Sequence, residues 1–187
     1  VPLLYAHWEG FIKNAATAYL NYVNNQGRSY RELQSCFVVF GVKKCLNELV
    51  ISRKSRVTVA AVDFVQSALE HRSQLKLDSA INTESNLSSS VFENIALSIG
   101  IDPSKYEARY HLIDESLLDR RNNIAHGEYL DLQPSEWRTL ADEVILIIRQ
   151  FKTDIENAAT LSLFVRGEKV KSTNLKPKSI TPDSAAV

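Results

Sequence analysis

The chain has 187 residues, 44% of them hydrophobic, and its 22 Lys and Arg balance 22 Asp and Glu. Such a length and composition suit one globular domain with a real core, with or without a tail. Zero net charge excludes a global basic field, so any contact with nucleic acid must come from a local patch.

No stretch approaches the ~20 consecutive apolar residues of a membrane span, and no signal peptide is visible. Cys36 and Cys45, if on one helix, lie about 13.5 Å apart along its axis and on opposite faces. That is too far for a disulfide, so both read as free thiols in a reducing, cytoplasmic setting.

In chain order the pattern is helical almost throughout. Trp8, Ile12, Ala15, Tyr19 and Tyr22 recur at helical spacing between Tyr5 and Asn24. Gly27 ends that segment. Tyr30 to about Ser52 is richer in apolar residues and predicts a helix buried on more than one side. Val57 to His71 predicts a shorter helix, and the polar stretch Leu75 to Ser90 a loop. The serines of that loop can cap a helix over Val91 to Ile99, which Gly100 terminates. Asp102-Pro103 opens a short helical turn.

Leu112 to Ala125 follows as a helix capped by Asp114 or Ser116 and closed by Gly127. Gln133-Pro134-Ser135-Glu136 opens a long helix whose stripe is Trp137, Leu140, Val144, Ile147 or Ile148, Phe151 and Ile155. From Arg166 the chain turns polar and basic. The expectation is an all-α protein: an antiparallel bundle of four to five helices over residues 1–165, then a disordered tail over 166–187.

The chemistry concentrates in Asp119-Arg120-Arg121-Asn122-Asn123-Ile124-Ala125-His126-Gly127. Arg121 is a permanent cation with a fork that matches phosphate, and His126 is the type that moves protons near neutral pH. Asn122 and His126 share a helix face. His126 falls in the last turn, where the helix dipole favours an imidazolium. A base that takes a ribose 2′-OH proton, a cation on the phosphoryl oxygens and an acid for the leaving oxygen suffice to cut RNA without a metal. One Arg and one His make half of such a site; a symmetric pair of motif helices makes a whole one. The same residues also suit an inert helix end, where cations and a glycine are common. Chance supplies roughly 0.7 loose Arg-to-His matches in a chain like this, so spacing alone is weak.

Arg121-Asn122 followed by His126 resembles the signature of the HEPN superfamily: Arg, a polar residue, three residues, His. Those all-helical domains occur in prokaryotic toxin–antitoxin, phage-defence and RNA-processing systems. Ala6-His7-Trp8-Glu9-Gly10-Phe11-Ile12-Lys13, with Tyr19-Leu20-Asn21-Tyr22-Val23, is similar to the MAE-type group of HEPN proteins. The resemblance spans about residues 5–160. It implies dimerisation through the motif helices and a cleft holding Arg121 and His126 from both copies. Arg121 would hold phosphate, His126 transfer protons and Asn122 orient the site, with Arg120 in support. A HEPN toxin subgroup carries a modifiable Tyr two residues after its His. Tyr129 follows His126 by three, a departure from that pattern.

His7 and Glu9 are candidates to line the cleft, as is Tyr129. His111 and His71 read as surface or helix-end residues. Glu115 and Asp119 are four apart but read as surface acids. No zinc, calcium or phosphate-loop motif is present, so neither metal nor cofactor is expected. Three readings follow. One is a metal-independent endoribonuclease, a toxin or defence effector held by an antitoxin or partner protein. The alternative is a catalytically silent HEPN domain that binds RNA or nucleotides, or serves as a dimerisation module. A helical interaction protein without a site is the third.

Overall fold

The computed structural model describes residues 1–52, 54–77, 80–84, 86–128 and 132–167. The all-helical expectation is met: the described residues contain no strand, only isolated bridges at Ser29–Arg72 and Leu33–Val165. None of the described helices is long and apolar enough to cross a membrane. The helices are more fragmented than the four or five predicted, and each break has a local cause.

Helix α1 spans Pro2–Asn25, with Pro2 in a first-turn position that needs no N–H donor. It buries Tyr5, Trp8, Ile12, Ala16, Tyr19, Leu20 and Val23, a stripe spaced by threes and fours. Ala15 and Tyr22, expected on that stripe, lie at its margin. The next predicted helix is interrupted near its start. Glu32 accepts hydrogen bonds from the Ser29 N–H and hydroxyl at 2.8 and 2.9 Å, which closes a 3-10 turn over Tyr30–Glu32. Leu33 then goes extended and bridges to Val165, and α2 begins only at Ser35, running to Ile51.

Helix α3, Ser55–Ala68, pairs with α2 as a hairpin. The prediction that the α2 region is buried on several sides fails here. α2 buries Phe37, Val42 and Cys45, but Val39, Leu46 and Val50 are exposed, because α3 is its main cover. Gly41 is required within the hairpin: a Cβ there would collide with the Tyr30 phenol, which hydrogen-bonds the Gln74 backbone. Both cysteines lie on α2 and are free thiols.

Ser88 caps α4, Ser89–Ser98, by accepting from the Val91 N–H at 3.3 Å. Gly100 follows at φ +73°, the left-handed position that ends a helix. Asp102 caps the 3-10 stretch Pro103–Arg109. The long α6, Pro134–Thr160, buries Leu140, Ala141, Val144, Ile147, Phe151 and Ala158 against α1. Trp137, in its first turn, is 44% exposed. Where α1, α4 and α6 meet, Trp8, Phe92, Tyr106 and Phe151 interlock, with Phe92 within 5.1–5.4 Å of the other three ring centres. Each such side chain contributes about 1.5–3 kcal/mol on burial.

After α6 the chain folds back. Phe164 is buried, and Arg166 donates its N–H to the Glu32 carbonyl. Arg166, read from sequence as the first residue of a tail, is therefore fastened to the domain. The tail expected from there on otherwise falls on 168–187, outside the described residues.

Candidate functional site

The motif segment is one helical run of two kinds. Leu112–Asp119 is a π-helix and α5, Arg120–Ala125, is regular α-helix. Along the π stretch, whose backbone bonds run i→i+5, the pairs Leu112-Ile113 and Leu117-Leu118 recur at a spacing of five. That ladder turns Ile113, Leu117 and Leu118 into the core. Neither Asp114 nor Ser116 caps the run. Asp114 reaches instead to α4 and accepts from the Ser89 N–H at 2.7 Å and the Ser89 hydroxyl at 2.5 Å. A carboxylate at a foreign helix N-terminus satisfies orphan donors there, as a local cap would.

Arg121 is half-buried. Its Nη1 donates to Asn86 Oδ1 at 3.0 Å and to Asn122 Oδ1 at 2.8 Å. Its guanidinium carbon lies over the Tyr5 ring, 4.9 Å from the centroid. Asn122 is thus a direct hydrogen-bond partner of Arg121. Tyr5 is 2% exposed, and its hydroxyl accepts the Leu87 N–H at 2.6 Å. Burial raises the Tyr5 pKa above its ordinary value, and the charge of Glu9 adds to this. The Leu87 N–H and the Arg121 cation act in the opposite direction. The phenol therefore stays protonated, able to accept from Leu87 and to meet the Glu9 carboxylate.

His126 is the residue that ends α5. Its backbone N–H donates to the Asn122 carbonyl at 2.9 Å, and its side chain is exposed. Gly127 follows at φ +78°, as a helix C-terminus requires. Asn123, Ala125, His126 and Gly127 are exposed and α5 buries no residue, so this end of the motif is open. Arg120 is half-buried on the same short helix.

Of the outlying candidates, Glu9 is half-buried and close enough to Tyr5 to influence it, while His7 is exposed on α1. Tyr129 lies outside the described residues. His111 pairs with Glu115 at 2.9 Å on the surface, as its sequence position suggests. The described residues contain no group of three or more His, Cys, Asp or Glu that could hold a metal. A groove of about 990 Å³ between α2, α3 and residues 74–77 includes no motif residue.

Sequence reasoning missed Tyr5, Asn86 and the reach of Asp114. Tyr5 carries a faint signal: it sits three before Trp8 on the buried stripe, and a buried phenol needs a hydrogen-bond partner. Asn86 gives none, because it lies in a polar stretch that reads only as loop.

Neither the curated proteins nor the solved structures contain a match to this chain. A family model does match, over residues 1–157, and its description is RiboL-PSP-HEPN. The superfamily read from Arg121, Asn122 and His126 is thereby met, although the description names RiboL-PSP where the first helix suggested the MAE-type group. With its match covering most of an all-helical chain, this protein belongs to the RiboL-PSP-HEPN family of the HEPN superfamily.

Proposed function

We propose that the protein is a metal-independent endoribonuclease working as a homodimer. The observation that carries this reading is the state of Arg121: a guanidinium held by Asn86, Asn122 and the Tyr5 ring, at the root of an exposed helix end that carries His126. Membership of a family whose domains are generally ribonuclease-like or nucleotide-binding supports it.

In the proposed reaction the imidazole of one His126 takes the proton of a ribose 2′-OH. The 2′ oxygen attacks the adjacent phosphorus and the bond to the 5′ oxygen breaks. The second copy's imidazole, protonated, gives its proton to that leaving oxygen. The products are a 2′,3′-cyclic phosphate and a free 5′-OH. Proton transfer of this kind contributes about 10²–10⁴-fold. Arg121 stabilises charge on the phosphoryl oxygens through paired N–H donors. The unburied face of α5 is the surface on which two copies would meet, and each supplies half of the site. In a toxin or defence effector, an antitoxin or other partner protein would cover the same open end.

The test is cleavage of a mixed-sequence RNA in EDTA by wild type, Arg121→Ala and His126→Ala. Wild-type cleavage to cyclic phosphate ends, lost in both variants, is the expected result. Cleavage that survives either substitution sinks the proposal. RNA binding without cleavage favours the silent RNA-binding module instead.

A further inference from the structure

The five N–H donors of Arg121 are unevenly used. Nη1 carries two, and these go to Asn86 and Asn122. The face of the group is covered by Tyr5. Among the described residues nothing accepts from Nε or Nη2. That edge presents parallel N–H groups, the geometry that meets two oxygens of one phosphate.

The covers are themselves fastened. Asn86 is next to Leu87, whose N–H donates to the Tyr5 hydroxyl at 2.6 Å. Two residues on, Ser89 is held by Asp114 of the π-helix. Residues 86–89 are thus tied both to α1 and to the segment that carries Arg121. The result is a closed ring: Arg121 to Asn86, along the chain to Leu87, across to Tyr5, and back to Arg121 through the ring face. An unheld arginine samples many rotamers, and ordering it on substrate weakens binding. Here the ordering is done before substrate arrives.

We propose that Tyr5 and Asn86 are positioning residues which fix the Arg121 guanidinium with its Nε–Nη2 edge turned out to receive one phosphate of the substrate. The proposal rests on the ribonuclease reading for the identity of the substrate, but not for the clamp itself. Tyr5 acts through its ring face and Asn86 through its amide oxygen. Neither needs to touch RNA.

Two measurements on the full chain separate the clamp from the activity. The first is the ¹⁵N relaxation order parameter of the Arg121 Nε–H, identified by its loss in Arg121→Ala. In wild type it should approach the ~0.85 of rigid backbone and fall below ~0.6 in Tyr5→Leu and in Asn86→Ala. Tyr5→Phe keeps the ring face but frees the Leu87 N–H, and its order should fall between wild type and Tyr5→Leu. Asn86 is exposed, so Asn86→Ala keeps the test open even where Tyr5→Leu perturbs the core.

The second is RNA cleavage. Each variant should lower kcat/KM roughly tenfold, the scale of a desolvated cation–π or charged hydrogen bond. In an Arg121→Ala background, where cleavage is already lost, the same substitutions should leave the Kd for RNA unchanged. A mobile Arg121 in wild type overturns the clamp, and so do losses of RNA affinity that persist undiminished without Arg121. An ordered Arg121 in a protein that does not cut RNA upholds the clamp and overturns the ribonuclease reading.

Discussion

The two halves of the motif run are built in opposite ways. Leu112–Asp119 sends Ile113, Leu117 and Leu118 into the core and ties Asp114 to α4. Arg120–Ala125 buries nothing and ends in an exposed histidine. Arg121 stands at the junction, half in each regime. In the proposed ribonuclease, a short helix would present its reactive groups from turns anchored beneath it, leaving its own surface for substrate or a second copy. A site that must hold its groups within a fraction of an ångström needs such support beneath it.

If the π-helical half is the anchor, substitutions there must cost stability, and cost it most. Leu117→Ala removes a side chain with no solvent exposure from the core cluster. It should destabilise the protein by about 2–5 kcal/mol, as large-to-small changes in cores do. Thermal unfolding should show this as a fall in Tm of about 2–4 °C per kcal/mol for a chain of this size. A fall of under 2 °C would mean that the π-helical turns are not what holds the motif.

Asp114→Ala comes next. It frees the Ser89 N–H and hydroxyl, both part-buried. Leaving such donors unpaired costs about 1–3 kcal/mol. Because residues 86–89 carry Asn86, the order of Arg121 should fall as well, which distinguishes Asp114 from a residue that matters for stability alone. Asp114→Asn keeps one acceptor oxygen and should recover part of both losses.

What could be read from the sequence divides along the same line. Arg121, Asn122 and His126 are neighbours in the chain, so their relation is visible as a spacing. The stripes of α1 and α6 are legible for the same reason, since helical periodicity is local. The contact of Arg121 with Asn86 spans 35 positions, and that with Tyr5 spans more. No pattern of residue types marks either. The π-helix was latent in the pairs Leu112-Ile113 and Leu117-Leu118, but an α period fits such a short run nearly as well. Asp114 shows a further ambiguity. An acid near a helix start reads as a cap for that helix, and only packing decides that it caps another. The exposed apolar residues of α2 defeated prediction because hydrophobicity reports what can be buried, not what is.

The smallest stability effect is expected at the far tip, and it is the most informative. His126 is exposed, and its described hydrogen bonds use the backbone N–H, which alanine keeps. Its side chain should therefore contribute little to folding, and His126→Ala should change stability by no more than about 0.5 kcal/mol, as ordinary surface substitutions do. Loss of a proton-transferring group should meanwhile lower RNA cleavage by about 10²-fold or more. The pair of results matters more than either alone. An inert helix-end histidine would leave both stability and cleavage unchanged. A histidine that compensates the helix dipole would lower Tm and reduce cleavage only in proportion to unfolding. Only a group kept for chemistry separates the two readouts, with an unchanged Tm beside a protein that no longer cuts. Measured together with Leu117→Ala, this places the division between anchor and tip on a scale: large loss of stability at one end, large loss of activity at the other, and Arg121 between them.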